Sequence, residues 1–125
     1  MKDSIKSSGF SLIEILIAIV ILSISLLALA ALMVTTTQSN SFGAHMSEAT
    51  TFAQDMLERL RVSPWANVVS GEDQVTGSTG INYDRNWMVS PNPPSPGDGL
   101  RTVTITVRWN DKVGHSISLL SAIYK

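Results

Sequence analysis

The sequence predicts an α+β chain: one long N-terminal helix, apolar and then amphipathic, packed on a small antiparallel β-sheet. Three observations carry this. Ile15 to Val34 is a run of twenty residues without charge, Pro or Gly, with Ser23 and Ser25 as its only polar members. Ala49, Phe52, Ala53, Met56, Leu57 and Leu60 recur at the spacing of one helix face. From Leu100 to Trp109, Val103, Ile105, Val107 and Trp109 alternate with Thr102, Thr104, Thr106 and Arg108, the period of a half-buried strand.

The elements follow in order. Met1 to Gly9 is polar and carries Lys2 and Lys6, the basic flank expected on the cytoplasmic side of a membrane helix. At 1.5 Å per residue the apolar run spans about 30 Å, the thickness of a bilayer core. Glu14 stands at its edge. A carboxylate there is costly unless it meets a partner, so it is a functional candidate; an ordinary anchor would leave it in the headgroup zone. Thr35 to Ser41 is polar and poor in strong helix formers, and Gly43 costs about 1 kcal/mol against Ala, so the helix is expected to loosen there. The stripe Ala49 to Leu60 follows, a surface for the chain's own sheet, with Asp55 and Arg59 spaced i,i+4 on the polar side. Pro64 ends the helix by disfavouring helical geometry at Ser63.

Pro64 to Gly80, with three Gly, reads as a loop holding a turn of helix near Trp65 to Val69. Ile81 to Val89 reads as a strand with Tyr83, Arg85, Trp87 and Val89 on one face. Ser90 to Gly99 carries four Pro and is an exposed loop of polyproline character. Leu100 to Trp109 is the clearest strand. Asn110 to Gly114 is a hairpin connection in which Gly114 is expected to take positive φ. His115 to Tyr124 returns as the last strand, with Ile117, Leu119 and Ile123 inward. The sheet therefore has three strands with room for a fourth, and needs the helix to complete its core.

The chain has 125 residues, a formal charge of −1 and no Cys. That balance gives no support for a nucleic-acid or anionic-lipid surface, and stability must come from packing rather than bridges. No catalytic constellation emerges: the many Ser lack an activating base. His45 and His115 lack Cys or a second His at metal spacing, which argues against zinc. Asp98-Gly99 and Asn110-Asp111 are turn chemistry without the spacing of a calcium loop. Tyr83, Trp87 and Trp109 are best read as half-buried sheet positions. The chain is thus expected to be no enzyme and to hold neither cofactor nor metal.

Gly9-Phe10-Ser11-Leu12-Ile13-Glu14, with its short basic leader and uninterrupted apolar run, resembles the class III signal of type IV prepilins and type II secretion pseudopilins. The resemblance implies that prepilin peptidase cuts between Gly9 and Phe10 and methylates the new Phe10 amine. An ordinary secretory signal would be cut after its apolar region; here the cut precedes it, so the helix is retained. Loss of the leader removes two basic and one acidic residue, leaving seven and nine, a formal −2 before the termini. Many pilins close a C-terminal loop with a disulfide, which this chain cannot. Thr51 to Arg61 is similar to the Ala-Gln-x-x-Leu-Glu segment of PilV-type minor pilins and I-type minor pseudopilins. Val103 to Trp109 with its following hairpin resembles the PilV-type group. The apolar run lacks the mid-helix Pro usual in major pilins.

The organisation expected is therefore a leader over 1–9, a transmembrane and assembly helix over 10–34, its amphipathic continuation over 35–62, and a small periplasmic β head over 63–125. The resemblance implies a minor type IV pilin of the bacterial inner membrane, joining an initiation or tip complex. Its partners would be prepilin peptidase and other minor and major pilins. Glu14, paired with a neighbour's Phe10 amine, would set subunit assembly. A minor pseudopilin of a type II secretion system is the alternative within the class. A single-pass anchored periplasmic binding protein that never polymerises is the alternative outside it.

Overall fold

The computed structural model describes residues 9–91, 97 and 99–125. The predicted leader, apart from Gly9, and most of the Pro-rich loop lie outside the described residues. The chain divides into two units, Met1–Ser41 and Phe42–Lys125. Its elements are helix α1 (Leu12–Val62), a short 3-10 turn (Trp65–Asn67), and strands β1 (Gly71–Thr76), β2 (Asn82–Ser90), β3 (Leu100–Asn110) and β4 (Gly114–Tyr124). The four strands form one antiparallel sheet in the order β1-β2-β3-β4.

α1 does not loosen at Thr35 to Gly43; it is α-helical throughout. The hydroxyls of Thr35, Thr36 and Thr37 fold back onto the carbonyls of Ala31, Leu32 and Met33 at 2.9–3.1 Å. Ser23 and Ser25 do the same to Ile19 and Ile21 at 2.7 and 2.8 Å. Each hydroxyl is thereby satisfied within the helix, so the polar residues neither break it nor leave an unmet donor in the apolar run.

In the second unit the predicted stripe is the buried face. Ala49, Ala53, Met56, Leu57 and Leu60 are buried, with Phe52 packed beside them. They share one core with Tyr83 and Val89 of β2, Val103, Ile105, Val107 and Trp109 of β3, and Ile123 of β4. The period-2 pattern of β3 is seen in full, since Arg101, Val103, Ile105, Val107 and Trp109 are all buried.

The loop predicted over Pro64 to Gly80 contains a strand. Gly71–Thr76 opens on Gly, Glu and Asp, residues disfavoured in sheets, and pairing holds them in the strand: Gly71 lies opposite Trp87, Asp73 opposite Arg85, Val75 opposite Tyr83. A Cβ on Gly71 would stand 2.6 Å from the Trp87 ring, so glycine is required for this approach. In the β3–β4 hairpin the positive φ falls on Lys112 (103°), not Gly114. The Lys112 amide bonds the Asn110 side chain at 3.2 Å, a local contact of the kind that stabilises turns.

Two polar ties join helix and sheet. Arg85, almost wholly buried, donates from Nε and Nη2 to the two Asp73 oxygens at 2.8 and 2.5 Å, and from Nη1 to the Phe52 carbonyl at 2.9 Å. Glu48 accepts the Ser78 hydroxyl, the Ser78 amide at 2.9 Å and the Tyr83 hydroxyl at 2.7 Å. These donors hold the Glu48 carboxyl below its ordinary range, the Ser78 hydroxyl foremost, and the Arg85 hydrogen bonds do the same for Asp73. Burial, then the Glu48 hydrogen bond, raises the Tyr83 hydroxyl.

Two predictions follow from this packing. Ile105→Ala, at a fully buried site, should cost about 2–5 kcal/mol in a urea titration of the detergent-solubilised chain read by Trp fluorescence. For acid, the sign is set by two depressed carboxylates. Their contribution is complete above the ordinary carboxylate range and is lost as pH falls through their lower folded values. The urea midpoint should drop as pH falls below about 4, and Glu48→Gln with Asp73→Asn should flatten that decline.

Candidate assembly site

The N-terminal end of α1 is organised by Ser11. Its carbonyl accepts the amides of Glu14 at 3.0 Å and Ile15 at 3.2 Å, closing the first turn. Ser11 therefore precedes the first helical residue, Leu12, and Glu14 is the third. Ser-x-x-Glu at these positions has the spacing of a capping box. A carboxylate here is also favoured by the positive end of the helix dipole. Glu14 thus has a local structural place in the first turn, at the edge of an apolar segment.

Around it, Phe10, Glu14, Ala18 and Leu22 follow one another at i,i+4. With Ile15 and Ile19 they line a shallow groove of about 440 Å³. Phe10 is 79% exposed, and the large apolar residues from Leu12 to Val34 are exposed throughout. α1 is the one described helix long and apolar enough to cross a membrane. An exposed apolar surface on this scale demands a partner, lipid or protein. Gly9 and Phe10, the predicted cleavage positions, are exposed and precede the helix.

The second unit brings together residues that looked unrelated in sequence. His115 Nε2 lies 3.0 Å from Asp111 Oδ1, and His45 Nε2 lies 3.9 Å from Asp111 Oδ2. His45 Nδ1 is 3.1 Å from the Tyr83 hydroxyl. Phe42 stacks near His115 with ring centroids 5.0 Å apart. His45 extends the helix stripe by one turn before Ala49, and that i,i+4 spacing is the signal that could have placed it inward. Arg101 is likewise buried, donating from Nη1 to the carbonyls of Trp65 at 2.5 Å and Val68 at 2.9 Å, with its guanidinium 4.3 Å from the Trp65 ring centre. Its parity with Val103 in β3 was the available clue. Both groups hold the second unit together.

Comparison with known families matches residues 5–30 to the prokaryotic N-terminal methylation motif. No curated protein and no solved structure matches the chain. The matched span covers Gly9, Phe10, Glu14 and most of the exposed apolar run. Together with the long N-terminal apolar helix and an amphipathic continuation packed on a four-stranded antiparallel sheet, this motif supports a type IV pilin-like protein.

Proposed function

We propose that this chain is a minor type IV pilin, cut between Gly9 and Phe10, methylated on Phe10 and incorporated as a structural subunit of a pilus initiation or tip complex. The observation that carries this is the methylation motif over residues 5–30 with Glu14 as the lone carboxylate beside an exposed apolar helix face. In a bundle of such helices the apolar faces pack together and water leaves. The Glu14 carboxylate then needs a cation, and the amine freed at a neighbour's Phe10 supplies one. A pair buried in this way fixes the axial offset between subunits, because any other offset strands a charge in a dry setting. The head over 63–125 stands in the periplasm and carries contacts to other pilins. A minor pseudopilin would use the same motif and helix chemistry. Thr51 to Arg61 is similar to both PilV-type pilins and I-type pseudopilins, so it is the similarity of Val103 to Trp109 with its following hairpin to the PilV-type group that favours the pilus.

The N-terminus is the first test. In cells with an active prepilin peptidase, intact mass and N-terminal sequencing should find a chain beginning at methylated Phe10. A chain still beginning at Met1 would refute the processing reading. Glu14→Ala should then be cut and membrane-bound as before, yet at least about tenfold depleted from sheared filaments, since one unpaired buried charge costs about 3–5 kcal/mol. Incorporation at the normal level would remove Glu14 from the mechanism.

A further inference from the structure

An antiparallel sheet of four strands has edge strands that run in opposite directions. Here β4 runs with the helix of its own unit: Phe42 lies by His115 at 5.0 Å, and Arg61 reaches Ser121 at 3.4 Å. β1 therefore runs against it. The two edges also differ in chemistry. β4 is eleven residues long and, from Gly114 to Tyr124, has no Pro, Asp, Glu, Lys or Arg. Edge strands are ordinarily shortened, charged or bulged to prevent pairing, and β4 has none of these. Its inward Ile117 and Leu119 are only half-buried, while their register partners Val107 and Ile105 are fully buried. The core is thus open along β4. β1 is short and acidic, with Glu72 and Asp73 near its start.

We propose that the β4 edge of one copy accepts the β1 edge of a second copy as an antiparallel fifth strand. This rests on the reading above, that assembled copies carry their α1 helices side by side in the same sense. β4 against β4, or β1 against β1, would pair antiparallel only with the two helices reversed. β4 against β1 keeps the helices in one sense and the ladder antiparallel. Antiparallel alignment sets the acidic start of β1 beside the end of β4, where Arg61, 3.4 Å from Ser121, and Lys125 supply basic charge. The contact is head-to-tail and so propagates along an assembly rather than closing as a dimer.

The described residues and the whole sequence lack Cys, so cross-linking can be read cleanly. Gln74→Cys on β1 is combined in the full chain with Ser118→Cys, Leu120→Cys or Ala122→Cys on β4, all on the face away from the helix. Within one copy these edges are three strand spacings apart, about 14 Å, beyond the reach of a disulfide. Oxidation in membranes should give a ladder of dimers and higher species from one of the double variants and none from any single variant. Adding Leu120→Glu to the Gln74→Cys/Ser118→Cys or Gln74→Cys/Ala122→Cys pair sets an acid against the acidic start of β1 and should strongly deplete the ladder. Dimers from a β4 single variant would overturn the proposal in favour of symmetric pairing, and no ladder from any pair would overturn it outright. Leu22→Cys in the apolar groove separates the two readings. Helix dimers there without an edge ladder would defeat the edge contact alone, whereas loss of both would defeat the assembly reading with it.

Discussion

The head depends on how closely one helix can approach one sheet. Ala49 and Ala53, at 0% and 1% exposure, place almost no side chain between the helix backbone and the sheet. Larger residues at Met56, Leu57 and Leu60 then fill the space toward the far end of the stripe. The fully buried row Val103, Ile105 and Val107 supplies the opposing surface. A sheet this small buries little apolar area on its own, so without the helix stripe it has no second layer. Every other feature of the unit is arranged around that contact.

The buried charges follow from it. Bringing β2 under the helix puts Arg85 where water cannot reach, and an unpaired guanidinium there would be strongly destabilising. Asp73 answers it with two oxygens and the Phe52 carbonyl with a third acceptor. The same hydrogen bonds give β1, a strand of poor intrinsic propensity, its place beside β2. Arg101 repeats the solution at the other end of the sheet with backbone carbonyls and the Trp65 face. Charge here specifies which segments meet, and apolar burial supplies the adhesion.

The first unit has no comparable layer of its own. Its large apolar side chains from Leu12 to Val34 are exposed, and the Ser23 and Ser25 hydroxyls are turned back on the helix, so the surface from Ile15 to Val34 is almost uniformly apolar. Such a surface distinguishes poorly between axial offsets, since sliding one apolar helix past another changes little. In the proposed assembly it is Glu14 that makes an offset matter. There the helix supplies cohesion, Glu14 the register, and the open β4 edge a second contact that runs in a compatible sense.

Much of this was legible in the residues alone. The apolar run, the Gly9 to Glu14 motif, the Ala49 to Leu60 stripe and the alternation of Leu100 to Trp109 are local periodic signals, and each depends only on neighbours a few positions away. Even the inward positions of Arg85 and Arg101 follow from strand parity. The rest depended on partners distant in sequence. Gly71 to Thr76 is a strand only because β2 lies beside it. His45 and His115 meet at Asp111 only because the hairpin comes to the start of the head helix. The polar Thr35 to Ser41 stretch stays helical because its hydroxyls find carbonyls one turn back, a choice that composition does not reveal. Local propensity and period limit what each segment can become. Tertiary structure decided which weak segments are recruited, because burial and pairing there outweigh local preference.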